Sequence, residues 1–163
     1  MRYISSYPGA YTFRLIMIVI IMSTLIVLFF NYTDRISIAT EKASIQQTKN
    51  VINSSLAIVF ATYAVKGELE RLNELDGGNP FVHMAEYNMV PANYQGVIRA
   101  RNLDDLAPGW YYDELSEKVI YKTYYDDQVY YFSQVLDYRD VNKSGRYEPE
   151  FDVYRMLNFR LFP

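Results

Sequence analysis

At 163 residues the chain has room for one modest domain and an appendage, and 16 Lys and Arg against 19 Asp and Glu leave it mildly acidic. It contains no cysteine, which excludes a disulfide framework, a thiol nucleophile and a thiolate metal site, and the absence of a basic cluster argues against nucleic acid as a partner. Half of the residues are apolar, yet they are spread unevenly along the chain.

The first element is an apolar helix. Residues 15–30, LIMIVIIMSTLIVLFF, carry no charge and only two hydroxyls. With AYTF before them, and Arg14 interrupting, they approach the roughly 20 residues that a bilayer-spanning helix needs. A cleaved signal peptide has a shorter apolar run, about 7–15 residues, and ends in a small-residue cleavage site. Here the run ends LFFNYTD, without such a site, so a transmembrane helix is expected over 12–31. Arg2 and Arg14 are the only charges before it, and the acidic residues begin with Asp34. The 14 remaining Lys and Arg face 19 acidic residues, a net charge of −5. Positive-inside logic makes residues 1–11 a cytoplasmic leader and places the bulk outside, with Arg35 opposing.

An amphipathic helix is expected next, over 32–76. Ile45, Ile52, Leu56, Val59 and Tyr63 recur at helical spacing and form one apolar stripe. From Leu56 the run LAIVFATYAV is apolar on most sides, as in a helix entering a core. ELERLNEL extends the pattern and Gly77-Gly78 stops it. A break near Asn31–Asp34, giving two helices, is the alternative.

The segment NPFVHMAEYNMVPANYQG, with two prolines and mixed polarity, reads as a loop. Beyond it the apolar period becomes two. KVIYKTYY places Val119, Tyr121, Thr123 and Tyr125 on one face, and QVYYFSQVLDY places Tyr130, Phe132, Leu136 and Tyr138 on one face, with Gln134 the exception. DVYRMLNFRLF closes the chain as a last strand, with Tyr154, Met156 and Phe162 opposite Arg155, Leu157 and Leu161. The fold class is therefore α+β: a long N-terminal helix, first membrane-spanning and then amphipathic, packed on a small antiparallel β-sheet domain over 77–163.

This order of elements resembles the type IV pilin and pseudopilin family. The segments GGNPFVHM, PANYQG, LAPGWYYDELSEKVIY and DYRDVNKSGRYEPEFD look most like pilin-like biogenesis proteins of the mannose-sensitive haemagglutinin (MSHA) type pilus. The resemblance covers roughly residues 12–162. It implies a pilin-like, single-pass protein of the bacterial inner membrane, with its N-terminus cytoplasmic and its C-terminal domain periplasmic. The implied role is a non-enzymatic accessory or minor subunit in type IV pilus assembly. The implied partners are other pilin or pseudopilin subunits, the pilus assembly machinery and the membrane. At the N-terminus, Leu15 falls where the family carries a buried glutamate, and Ala10 falls on the Gly before the cleavage point. These departures favour a membrane-resident accessory subunit over a bulk pilin. The alternatives are a type II secretion pseudopilin and a bitopic periplasmic ligand-binding or sensor protein; about 14 residues before the span leave little for a cytoplasmic signalling domain.

Candidate sites are few. His83 has no second His or Cys to share a metal with and reads as a loop or surface residue. Trp110, with Tyr111 and Tyr112, could stack on a sugar ring or pack as core against the helix. Asp104-Asp105 and Asp126-Asp127 sit at expected turns, and no pocket-forming signature makes an acid–base dyad of them. The strongest candidate is DYRDVNKSGRYEPEFD, read either as a calcium loop or as a polar turn. Counting from Asp140, oxygen side chains fall at positions 1, 3, 5 and 9 (Asp140, Asn142, Ser144, Glu148), Gly145 stands at position 6, and the Arg146 carbonyl takes position 7. Phe151 occupies position 12, so Asp152 or Asp137 is left to supply the remaining carboxylate where the loop folds back. A calcium ion held there would be structural.

Overall fold

A computed structural model of the chain describes residues 8–99 and 103–162. The expected leader up to residue 7, Arg2 included, lies outside them. The chain divides into two compact units, Met1–Thr40 and Glu41–Pro163.

In the first unit every described residue is helical, within α1 (Pro8–Lys66), and the alternative of a break near Asn31–Asp34 does not occur. Its most apolar window is wholly unburied, and by length and composition this is a helix able to cross a membrane. Three hydroxyls along it are satisfied within the helix. Ser23, Thr24 and Thr33 donate to the carbonyls of Val19, Ile20 and Phe29, four residues back. A hydroxyl tied to its own helix needs no water, which suits an apolar surrounding.

In the second unit the later turns of α1 bury the expected stripe: Ile45, Ile52, Leu56, Val59 and Tyr63 all lie in the core. α1 stops at Lys66, short of the expected end at residue 76. Gly67 adopts φ +71°, the Glu68 N–H reaches back to the Tyr63 carbonyl at 2.9 Å, and Leu69–Leu75 continues as a 3₁₀ helix. The tighter winding turns Leu72 and Leu75 inward. NPFVHMAE, expected as loop, contains α2 (Pro80–Glu86). Asn79 caps it by accepting the Phe81 N–H at 3.0 Å, and Pro80 fills the first turn, where its missing N–H costs nothing.

Five strands follow: β1 (Tyr94–Ile98), β2 (Gly109–Asp113), β3 (Lys118–Lys122), β4 (Val129–Arg139) and β5 (Val153–Leu161), in spatial order β1-β2-β3-β4-β5. β1 runs parallel to β2, so the sheet is mixed rather than antiparallel. Gly109 permits the close approach of the chain before β1: it sits at φ +143°, and a Cβ there would lie 2.6 Å from the Asn93 carbonyl oxygen. That carbonyl accepts the Trp110 N–H at 3.0 Å.

One expected face is reversed in β5. Asp137 pairs with Met156 but Tyr138 pairs with Tyr154, leaving Arg155 as a bulge. The extra residue shifts the side-chain alternation by one. Leu157 and Phe159 are therefore buried, and Met156 is exposed. Tyr154 keeps its inward face and stacks on Phe60, with ring centroids 4.2 Å apart. β3 also departs from simple alternation: Ile120 and Lys122 are buried on the face opposite Val119 and Tyr121. The 103–107 segment covers that face, taking the Lys122 ammonium on the carbonyls of Leu103 and Asp104 and the Tyr111 hydroxyl on that of Ala107. Tyr125, expected on the Val119 face, lies exposed in the β3–β4 turn.

Candidate functional site

The loop joining β4 to β5 is built from two turns around one aromatic anchor. In the first turn Asp140 accepts the amides of Ser144 (3.1 Å) and Gly145 (2.9 Å), and the Asn142 carbonyl oxygen also accepts from Ser144. Gly145 takes φ +76°, a conformation other residues enter at a cost, while Lys143 beside it adopts φ +60° despite its side chain. Ser144 donates its hydroxyl to the Arg146 carbonyl at 2.9 Å. In the second turn the amides of Phe151 and Asp152 return to the Glu148 carbonyl. Asp152 is buried and fastens the two turns together, one carboxylate oxygen taking the Val141 N–H and the other the Glu148 N–H, each at 2.9 Å.

Between the turns lies Tyr147, buried against Tyr138 and Tyr154. Asn73 of the 3₁₀ helix holds its main chain at both ends, accepting the Tyr147 N–H at 2.9 Å and donating to its carbonyl at 2.8 Å. Burial, and after it the charge of Asp152, raises the Tyr147 hydroxyl above its ordinary pKa. An open cleft of about 520 Å³ separates the loop from the 3₁₀ helix, with Glu70, Glu74, Arg146 and Glu150 among its walls. Arg71 beside it is engaged by Glu68 at 3.1 Å and lies over the Tyr63 ring.

The six residues expected to hold calcium are thus brought into one network with uneven roles. Asp140, Asn142 and Ser144 gather at the Gly145 turn, and Glu148 joins by accepting from the Asn142 carboxamide at 2.7 Å. Asp152 is spent on main-chain amides, and the Arg146 carbonyl takes the Ser144 hydroxyl. Among the described residues no three carboxylate or imidazole side chains come together in a group able to hold a metal ion. The carboxylates of Asp140 and Asp152 are bonded to the loop's own amides.

The other candidates fall as follows. His83 lies in the last turn of α2 rather than in a loop. Trp110 is core, against Phe81, Tyr121 and Phe132, with Tyr111 buried on the opposite face. Asp126 and Asp127 sit in the β3–β4 turn, where Asp127 adopts φ +50°.

Sequence reasoning missed the polar residues that tie the helical layer to the sheet. Glu41 is buried and accepts the Tyr121 hydroxyl (2.9 Å) and the Tyr124 N–H (2.8 Å). It stands four residues before Ile45, so a carboxylate on the apolar stripe was the available signal. Asp76 accepts the Leu136 N–H at 2.9 Å and Gly77 donates to the Gln134 carbonyl, covering the part of β4 that extends beyond β3. Asn53 does the same for the Phe159 main chain in β5. Comparison with protein-family models, with curated proteins and with solved structures returns no match to this chain.

Proposed function

We propose that the chain is a membrane-anchored, pilin-like accessory or minor subunit in assembly of a type IV pilus of the MSHA type, acting by packing rather than by chemistry. The observation that carries this reading is the division of labour along α1. Residues 15–30 present apolar side chains to the surroundings on every side, whereas from Ile45 onward one stripe is buried beneath a small sheet. An all-round apolar helix needs lipid or other helices as its solvent; a stripe needs only its own sheet. The sequence resemblance in GGNPFVHM, PGWYYD and DVNKSGRYEP supplies the pilus context.

On this reading the chain crosses the bacterial inner membrane once, with the sheet domain in the periplasm. The first unit contacts the helices of other pilin-type subunits, and the sheet domain contacts their globular parts. Purification of the tagged full chain from detergent-extracted membranes tests it. Co-purification of pilus subunits, lost when residues 1–40 are replaced by a cleavable signal, is the expected result. Recovery with the subunits of a secretion system instead would transfer the assignment to a pseudopilin. Recovery from the soluble fraction, without any such subunit, would overturn it.

A further inference from the structure

Three Asn-x-Ser/Thr triplets occur in the chain: Asn31-Tyr32-Thr33, Asn53-Ser54-Ser55 and Asn142-Lys143-Ser144. Such a triplet accepts an N-linked glycan only where the asparagine projects from a loop that a transferase can reach. The structure separates the three. Asn31 lies inside α1, and the Thr33 hydroxyl is turned back onto the Phe29 carbonyl. Asn53 lies half-buried within α1, its carboxamide bonded to the main chain of Phe159 in β5. Asn142 is exposed, in the turn between β4 and β5.

We propose that Asn142 is an N-glycan acceptor site, with a polyprenyl-diphosphate-linked oligosaccharide as the donor. The Asn142 side-chain oxygen accepts the Ser144 N–H at 3.1 Å, a local bond that folds the triplet into a turn. The carboxamide nitrogen donates to the half-buried Glu148 carboxylate at 2.7 Å, so both of the carboxamide's bonds stay within the exposed loop. The Ser144 hydroxyl is also on the surface, bonded to nothing more distant than Arg146. In the transfer the Asn142 nitrogen forms a bond to the anomeric carbon of the first sugar. The bond from that carbon to the diphosphate oxygen breaks, the diphosphate leaves with the electron pair, and one amide proton passes to a base of the transferase. No oxidant or reductant is involved. Tyr147, seated in the core one residue before Glu148, anchors the loop while its tip carries the sugar.

This inference rests on the proposed orientation, with the sheet domain on the side of the membrane where such transferases work. The test uses the full chain in membranes that carry an N-linked oligosaccharyltransferase acting on folded substrates, together with its lipid-linked donor. A second version bears an added acceptor triplet on a flexible tail after Pro163. Intact mass should show one glycan on the chain, lost in Asn142→Gln and in Ser144→Ala but kept in Asn53→Gln and Asn31→Gln. A glycan on the tail but none at Asn142 would overturn the inference while leaving the orientation standing. No glycan at either position would overturn the orientation and this inference with it.

Discussion

The side chain of Asn53 on α1 accepts the Phe159 N–H at 2.7 Å and offers its own N–H₂ to the Phe159 carbonyl at 3.4 Å, 106 residues along the chain. Phe159 belongs to β5, the edge strand of the sheet, and its side chain is buried under α1. An exposed edge invites pairing with another chain. Here the helix layer occupies the edge with a carboxamide that imitates a neighbouring strand. Asn53→Ala leaves a buried N–H and carbonyl without partners, a loss of about 1–3 kcal/mol. Asn53→Asp retains the acceptor and should lose less. Urea unfolding of the sheet domain measures both, and equal stability of all three proteins would deny the edge contact any weight.

Gln134 predicts a change of the opposite sign. It is buried on the helix-facing side of β4, and among the described residues neither its carboxamide oxygen nor its nitrogen has a hydrogen-bond partner. A buried polar group without a partner costs about 1–3 kcal/mol on the scale of protein substitutions. Gln134→Met, close in length and apolar, should raise the unfolding free energy by roughly 1–2 kcal/mol. A melting temperature below that of the parent chain would show that the carboxamide is satisfied in solution.

The β4–β5 loop makes a prediction about metal. Asp140 accepts two main-chain amides, so Asp140→Ala removes two charge-assisted bonds and should cost roughly 1–2 kcal/mol. On the reading of the loop as a self-bonded turn, the melting temperature should fall equally in calcium and in chelator. A loss seen only in calcium would assign the loop a structural cation.

Alkaline pH should unfold the sheet domain. Burial, then the hydrogen bond to Glu41, then that residue's charge all raise the Tyr121 hydroxyl well above its ordinary value. Burial likewise raises Tyr63, Tyr111, Tyr112, Tyr138, Tyr147 and Tyr154. A group whose pKa is raised on folding contributes stability that is complete below its unfolded value, about 10 for tyrosine, and is lost as pH climbs toward the folded value. Stability measured from pH 8 upward should thus hold and then fall beyond about pH 10. Tyr121→Phe should be weaker at neutral pH by about 1 kcal/mol and should decline less steeply above pH 10. Parallel curves for the two proteins would contradict this.

The parts of the fold legible in the sequence are those set by periodicity. The stripe from Ile45 to Tyr63 is buried as its spacing requires, and the apolar run at 15–30 is an exposed helix. β3, β4 and β5 are located by alternation and turns, although the buried faces of β3 and β5 are not. β1 is not, because YQGVI has no apolar alternation and pairs in parallel across a long connection. α2 is one short turn-rich helix whose signal, Asn before Pro, was outweighed by the second proline and mixed polarity around it. The Arg155 bulge reverses a face through a single residue, which no periodicity reveals in advance. At the candidate loop the spacing located the residues that converge, yet the direction of the Asp152 carboxylate depends on chain reversal. The Asn73 clamp lies 74 residues away in sequence, where no local pattern reaches.

The central claim is a role in pilus assembly, and counting surface pili tests it most directly. Cells lacking this chain, imaged by electron microscopy, should show few or no pili of the type concerned. The full chain should restore them, and a version without residues 1–40 should not. Normal pilus numbers in the deletion strain would contradict the account.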